Sequence, residues 1–272
     1  MKAKLKSLLH IERKQDLTFP EELMKLDYLV FSSHKSGTQT MMHSLVCAGY
    51  KCRHCHLLEN IDLKEGQFKS YINAYYQQNQ KKLDVISVFR NPVERHISSF
   101  FQWYGSRPLI KREVHHVSET VIFQKSIHEL QEQFINELKS NTLIGREESI
   151  FSICDELKIN PQKLTFDGSK KIGVYEKKKI RLYLMRFDIL FNDFEQILSK
   201  ITDKPVGQVN KNMGSEKWYA DKYLEFKKTL IIPEDIIYGV YKRRKILIDI
   251  FYPGKFDDLV HSAKEKYGIR VT

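Results

Sequence analysis

Tyr28-Leu29-Val30-Phe31-Ser32-Ser33-His34-Lys35-Ser36-Gly37-Thr38-Gln39-Thr40-Met41-Met42 holds the change of element that decides the fold. The apolar run from Tyr28 stops at a Gly-containing loop and reads as a buried strand. Beyond the loop, Met41, Met42, Leu45 and Val46 recur at helical spacing, which predicts a helix with these four on one face. A loop between a strand and a helix aims backbone N–H groups at an anion, and the helix N-terminus adds positive partial charge. Lys35 brings a full charge, and Ser36, Thr38 and Thr40 bring hydroxyl donors beside Gln39. Gly37 lets the backbone come close to a ligand. The nucleoside-triphosphatase pattern G-x-x-x-x-G-K-[ST] is not present, because the first glycine is missing and Lys35 precedes Gly37. Taken alone, these residues fit an ordinary polar turn as well.

Outward from the loop, strands and helices alternate. Asp84-Val85-Ile86-Ser87-Val88-Phe89 reads as a second buried strand, and Asn91-Pro92 supplies an N-cap and a first-turn proline. Val93, Ile97, Phe100, Phe101 and Tyr104 mark the apolar face of the helix that follows. Ser126 and Glu129 form a capping box ahead of Ile127, Leu130, Phe134, Ile135 and Leu138. Ile180 to Arg186 reads as another strand, with Phe194, Ile197, Leu198 and Ile201 on a helix after it. The C-terminal third predicts helices around Trp218–Leu230 and Glu234–Asp249. Such alternation implies an α/β fold: a P-loop-like, mainly parallel central sheet flanked by helices, with a helical C-terminal part. Ligands then gather at the carboxyl ends of the strands. With no internal repeat and no Pro/Gly-rich boundary, residues 1–272 are expected to form one domain.

Hydrophobic residues at 42% and aromatics at 12% exclude a disordered chain. No apolar run reaches the roughly 20 residues of a membrane helix. The basic start, Met1-Lys2-Ala3-Lys4, carries too short an apolar stretch for a signal peptide, so a cytoplasmic chain complete at its start is expected. A net charge of +11 suits a polyanionic partner without choosing among nucleic acid, nucleotide, acidic glycan and membrane surface. The four cysteines, Cys47, Cys52, Cys55 and Cys154, are then expected as reduced thiols.

A second segment pairs with the loop: Val88-Phe89-Arg90-Asn91-Pro92-Val93-Glu94-Arg95-His96-Ile97-Ser98. Arg90 leaves the carboxyl end of a strand and Ser98 lies on the helix after it. Together the two segments resemble the sulfotransferase superfamily, whose members use 3′-phosphoadenosine-5′-phosphosulfate (PAPS). Lys35 and Thr38 match its Lys-x-Gly-Thr loop for the 5′-phosphosulfate. Arg90 and Ser98 match its Arg-Asp/Asn-Pro junction with a serine eight residues on, which holds the 3′-phosphate. Glu216-Lys217-Trp218-Tyr219-Ala220, after Arg186-Phe187-Asp188, is similar to the Asn-Lys-Trp-Tyr-Ser motif of the capsular polysaccharide synthesis group, and departs from it at Glu216 and Ala220. By spacing alone, Trp218 and Tyr219 belong with Tyr223 and Phe226 to a buried stripe.

Cys52-Arg53-His54-Cys55-His56 formally matches the haem-attachment pattern C-x-x-C-H and half of a zinc site. Haem attachment needs export, and zinc needs a second ligand pair that does not follow. A second strand over Tyr50–Leu57 fits better, with His54 and His56 on one face. In the resembling family the acceptor is deprotonated by a histidine or glutamate at or just after the end of this strand. That implies His56 as first choice, then His54, then Glu59.

The resemblance thus implies sulfuryl transfer from PAPS to a hydroxyl of a carbohydrate acceptor, a surface or capsular glycan or another hydroxyl acceptor that could be acidic, with Lys35 on the leaving phosphate. It implies PAPS or its product PAP as co-substrate, with no metal; the spread of the basic residues and the lack of a long apolar run add the expectation of no nucleic-acid partner and no transmembrane segment. Lys211 and Lys217 are further cations that could reach the donor or an acidic acceptor. The alternatives are a P-loop nucleotide kinase, which needs Mg²⁺ and the loop absent here, and a non-catalytic nucleotide- or nucleic-acid-binding protein, which needs a basic stripe with interleaved aromatics.

Overall fold

The computed structural model describes residues 18–64, 66–103, 124–141, 149–210 and 217–268. Tyr104, Lys211 and Glu216 lie outside them. The chain is α/β. Its sheet has five strands: β1 Tyr28–Phe31, β2 Cys52–Cys55, β3 Leu83–Phe89, β4 Gly173–Lys177 and β5 Ile180–Arg186. Their order is β2-β1-β3-β5-β4, parallel except for the antiparallel β4·β5 hairpin. The helices are α1 Glu21–Met24, α2 Thr38–Cys47, α3 Phe68–Asn79, α4 Pro92–Trp103, α5 Ile127–Ser140, α6 Ser149–Leu157, α7 Phe187–Leu190, α8 Phe194–Leu198, α9 Ala220–Thr229, α10 Glu234–Lys242, α11 Lys245–Phe251 and α12 Phe256–Tyr267.

Strand alternation sorts the core into two layers. Leu29, Phe31, Val85, Phe89, Leu182 and Leu184 enter one buried cluster, with residues of α3 to α6 and α9 to α12. Tyr28, Val30, Ile86, Val88, Tyr183 and Met185 enter the other, with Met41 and Leu45 of α2 and residues of α7 and α8. Successive side chains of a strand point to opposite faces, so continuous apolar runs are what a sheet covered on both sides requires. Register is pinned at the amino ends, where Arg181 donates from Nε and Nη2 to the two Asp84 oxygens at 2.8 and 2.9 Å. A bidentate pair of this kind fixes geometry as well as charge.

Several expectations hold. β1, β3 and β5 fall where the apolar runs lie, and Asn91 caps α4 by accepting from the Val93 and Glu94 N–H groups. The Ser126/Glu129 capping box opens α5. Phe100, Phe101, Phe134 and Phe226 meet in one aromatic cluster joining α4, α5 and α9, with centroids 5.0–5.8 Å apart. Each such pair adds about 0.5–1.5 kcal/mol beyond its area burial.

Others are corrected. Val46 is 47% exposed, and the buried face of α2 is completed by Ser44, whose hydroxyl accepts the Val209 N–H at 2.8 Å. Trp218 is 38% exposed while Tyr219 and Phe226 are buried, because the helix starts only at Ala220 and Trp218 precedes its apolar stripe. The stretch 234–249 is two helices, α10 and α11, broken at Arg243-Arg244 inside four consecutive basic residues. The break re-aims α11 so that Leu247, Ile248 and Phe251 reach the core, while Arg243 donates to the Leu138 carbonyl at 2.7 Å. Strand β2 is shorter than residues 50–57, and His56 stands just past its end.

Candidate functional site

The order β2-β1-β3 means that the chain leaves β1 in one direction and β3 in the other. Strand order therefore reverses between β1 and β3, and the crevice outside their carboxyl ends is where open α/β sheets bind ligands. Both singled-out segments open there. The loop follows β1, and Arg90 follows β3.

The loop is tightly built. Lys35 and Gly37 have φ of 64° and 78°, in the left-handed region. At position 37 a Cβ would stand 2.5 Å from the Phe191 ring and 3.2 Å from Phe187, so glycine is required for both conformation and packing. Gly37 is also the N-cap of α2; it offers no capping side chain, and the first turn holds no acidic residue. The first N–H groups of the helix therefore receive no bond from the N-cap side chain, and the helix start points its positive end at the crevice. The Ser36 hydroxyl is buried and has no hydrogen-bond partner among the described residues. A buried unsatisfied hydroxyl costs about 1–3 kcal/mol, which an anion accepting its proton would recover. Thr38 and Thr40 are buried beside it, and Gln39 turns to His54.

Arg90 joins the two segments. Its Nη1 donates to the Lys35 carbonyl at 3.0 Å, and its guanidinium lies 4.4 Å over the Phe187 ring. Burial lowers its pKa, while Tyr223 and Glu94 favour the charged form. Ser98 stands half-buried on α4. Lys35 Nζ runs to the same helix and donates to Gln102 Oε1 at 2.6 Å. Burial, with Arg90 and Lys217 nearby, lowers the Lys35 pKa to about 8.

The histidines converge on the other side of the loop. His56 Nδ1 lies 2.6 Å from the Ser32 carbonyl, which can only accept, so the proton sits on Nδ1 and Nε2 keeps its lone pair. His54 is tied at both nitrogens, 2.9 Å from Gln39 Nε2 and 3.1 Å from Met42 Sδ. The exposed His34 ring lies 3.8 Å, centroid to centroid, from His56. Burial lowers the pKa of His56 despite the Ser32 bond, and His54, Arg95 and Lys35 lower it further. The Ser149 hydroxyl braces this turn by donating to the His56 carbonyl at 2.8 Å. Glu59 is exposed on the single turn Leu58–Ile61. Cys52 and Cys55 are three apart on a strand and enter opposite core layers, so the two thiols do not face one ion. Burial pushes Cys52 up to about 12, which keeps it a thiol at neutral pH.

Sequence reasoning did not assign roles to His34, Arg95 or Gln102. Arg95 is 5% exposed, and a buried arginine on a helix carries no periodic signal. Gln102 is four residues after Ser98, and that spacing on one helix face was the available clue.

Glu94 anchors the helix that carries these groups. It accepts from Lys227 Nζ at 2.9 Å, from Lys266 Nζ at 2.6 Å and from the Tyr267 hydroxyl, fastening α4 to α9 and α12. Burial alone would raise its pKa, but these three donors hold it at about 2 against an ordinary 4.5. A carboxylate depressed in the folded state stabilises fully above its unfolded pKa and loses that contribution as pH falls through the folded value. Glu94→Gln should therefore lower unfolding free energy by roughly 2–3 kcal/mol at pH 7. Urea unfolding at pH 7 and pH 3 checks this, since the gap should shrink at the lower pH. An equal loss at both values would assign the effect to packing instead of charge.

The class so defined is a mainly parallel α/β sheet with a cationic, glycine-containing loop at its switch point and a cluster of neutral histidines beside it. No family model, no curated protein and no solved structure matches the chain. Among the described residues no helix is long and apolar enough to cross a membrane.

Proposed function

We propose that the protein is a PAPS-dependent sulfotransferase acting on a hydroxyl of a carbohydrate, with the surface or capsular glycans suggested by the Trp218-Tyr219 motif as the first acceptors to try. The observation that carries this reading is the meeting of two sequence segments on one point: Arg90 holds the Lys35 carbonyl, and Lys35 reaches along the helix that bears Ser98. A nucleotide phosphorylated at both 5′ and 3′ needs two anion sites adjacent in space, and these two segments are brought together there. The P-loop-like character of the sheet, its extent as one domain and the roles of the site residues belong to the same proposal.

The residues present fit such a donor. The Ser36 hydroxyl and the positive N-terminus of α2 suit the 5′ group, with Thr38, Gln39 and Thr40 in the same turn. Arg90 and Ser98 suit the 3′-phosphate. When bound, the donor supplies a sulfuryl group on a phosphate leaving group. The S–O bond to that phosphate breaks, a new S–O bond forms to the acceptor oxygen, and the hydroxyl proton passes to His56 Nε2. Such a displacement depends on positioning and on charge stabilisation. Lys35 supplies that charge at the leaving oxygen, so the chemistry calls for no metal ion.

PAP should bind at least tenfold tighter than AMP in calorimetric titration. A charged hydrogen bond contributes about 1.5–3 kcal/mol, and 1.4 kcal/mol is tenfold. Arg90→Ala should remove the difference. Equal affinity of the intact protein for PAP and AMP would contradict a 3′-phosphate site.

A further inference from the structure

We propose that Gln102 is a positioning residue that holds the Lys35 ammonium in the crevice. This goes beyond the motif residues and rests on the reading of Lys35 given above. Lys35 starts from a backbone conformation, φ 64°, that non-glycine residues seldom adopt, and its carbonyl is clasped by Arg90 at 3.0 Å. Its four-carbon stem is long and flexible, so the backbone alone does not set where the charge lies. Nζ is fixed instead by a 2.6 Å bond to Gln102 Oε1, across 67 residues of sequence. Gln102 is four residues from Ser98, so side chains of one α4 face bear both the lysine's partner and a proposed phosphate ligand.

The chemistry of the partner matters as much as the distance. Among the described residues the charges acting on Lys35 are both cationic, Arg90 after β3 and Lys217 ahead of α9. A carboxylate at position 102 would neutralise the ammonium and compete with an incoming phosphate. An amide oxygen directs the ammonium without cancelling its charge. The lysine thus stays available to a ligand anion, and half-buried among cations it titrates near 8.

The test has a readout that does not need sulfuryl transfer. The pH dependence of Lys35 acylation by acetic anhydride, followed by mass spectrometry, reports its titration in the intact protein and in Gln102→Glu and Gln102→Leu. Gln102→Glu, nearly isosteric, should raise the midpoint by one unit or more and weaken PAP at least tenfold. Gln102→Leu should leave PAP affinity within about threefold and lower turnover about tenfold, because the lysine keeps its charge and loses its aim. Should Gln102→Leu not fold, the Glu variant carries the test alone. The same midpoint in Gln102→Glu as in the intact protein would overturn the assignment. A shifted midpoint in a protein that does not bind PAP would uphold Gln102 as the partner of Lys35 while removing the donor proposed above.

Discussion

His56→Ala is expected to bind PAP as the intact protein does and to lose about 10²–10⁴-fold in turnover, the usual consequence of removing a general base. The geometry separates this histidine from its neighbours. Its Nδ1–H is committed to the Ser32 carbonyl at 2.6 Å, which fixes the tautomer and leaves Nε2 as the acceptor. His54 Nε2 is engaged by Gln39, and Glu59 sits on an exposed turn. Burial, reinforced by His54, Arg95 and Lys35, holds His56 below the ordinary histidine range of 6.5, so it is neutral at pH 7. A base works above its own pKa. Turnover should therefore climb with pH through a midpoint below 6.5 in kcat/KM and reach a plateau before neutrality. His56→Ala should lose that acid limb. If His54→Ala or Glu59→Ala lost turnover while His56→Ala kept it, the base would move to that residue. Activity in all three would remove the base from this segment.

Lys35→Ala is expected to lower turnover by about 10²–10³, by analogy with removal of an oxyanion donor, while weakening PAP far less. The asymmetry follows from where charge grows. A cation at the leaving oxygen interacts more strongly with the transition state than with the bound donor, and only that difference appears in turnover. Lys35 must stay protonated for this, and its pKa is lowered to about 8 by burial, then by Arg90 and Lys217. The pH profile of kcat/KM should thus fall again as pH rises through about 8, completing a bell with the His56 limb. The sign is opposite to that of the base: activity is lost when the lysine gives up its proton. Lys35→Arg, charged at every accessible pH, should flatten the alkaline limb. A Lys35→Ala protein that turned over normally once saturated with donor would make Lys35 a docking residue only.

Much of the fold was readable from sequence because local chemistry and fold agree. Continuous apolar runs mark strands covered on both faces, and β1, β3 and β5 lie where those runs do. The α4 start is written in Asn91-Pro92, and the loop follows the carboxyl end of β1, where strand–helix alternation puts ligands; that this is also the switch point is decided by the strand order, which was not legible in the sequence. What escaped is what only tertiary contact decides. β4 is Gly-Val-Tyr-Glu-Lys, an edge strand with Val174 53% exposed, so neither burial nor a long apolar run announces it. The break at Arg243 depends on what α10 and α11 pack against, and helical periodicity runs through it. The partnership of Lys35 with Gln102 spans 67 residues and the His34–His56 ring contact joins two loops, so spacing along the chain pairs neither set of residues.

We propose that this crevice binds a nucleotide carrying both a 5′ and a 3′ phosphate. Calorimetric titration of the full chain in a metal chelator with PAP, ATP and a single-stranded oligonucleotide tests it most directly. The arrangement of Lys35, Ser36, Arg90 and Ser98 predicts saturable PAP binding without metal, ATP at least tenfold weaker, and no displacement of PAP by the oligonucleotide at matched ionic strength. ATP binding tighter than PAP once magnesium is restored would point to phosphoryl chemistry, and displacement of PAP by the oligonucleotide would point to a nucleic-acid surface; either would contradict the account.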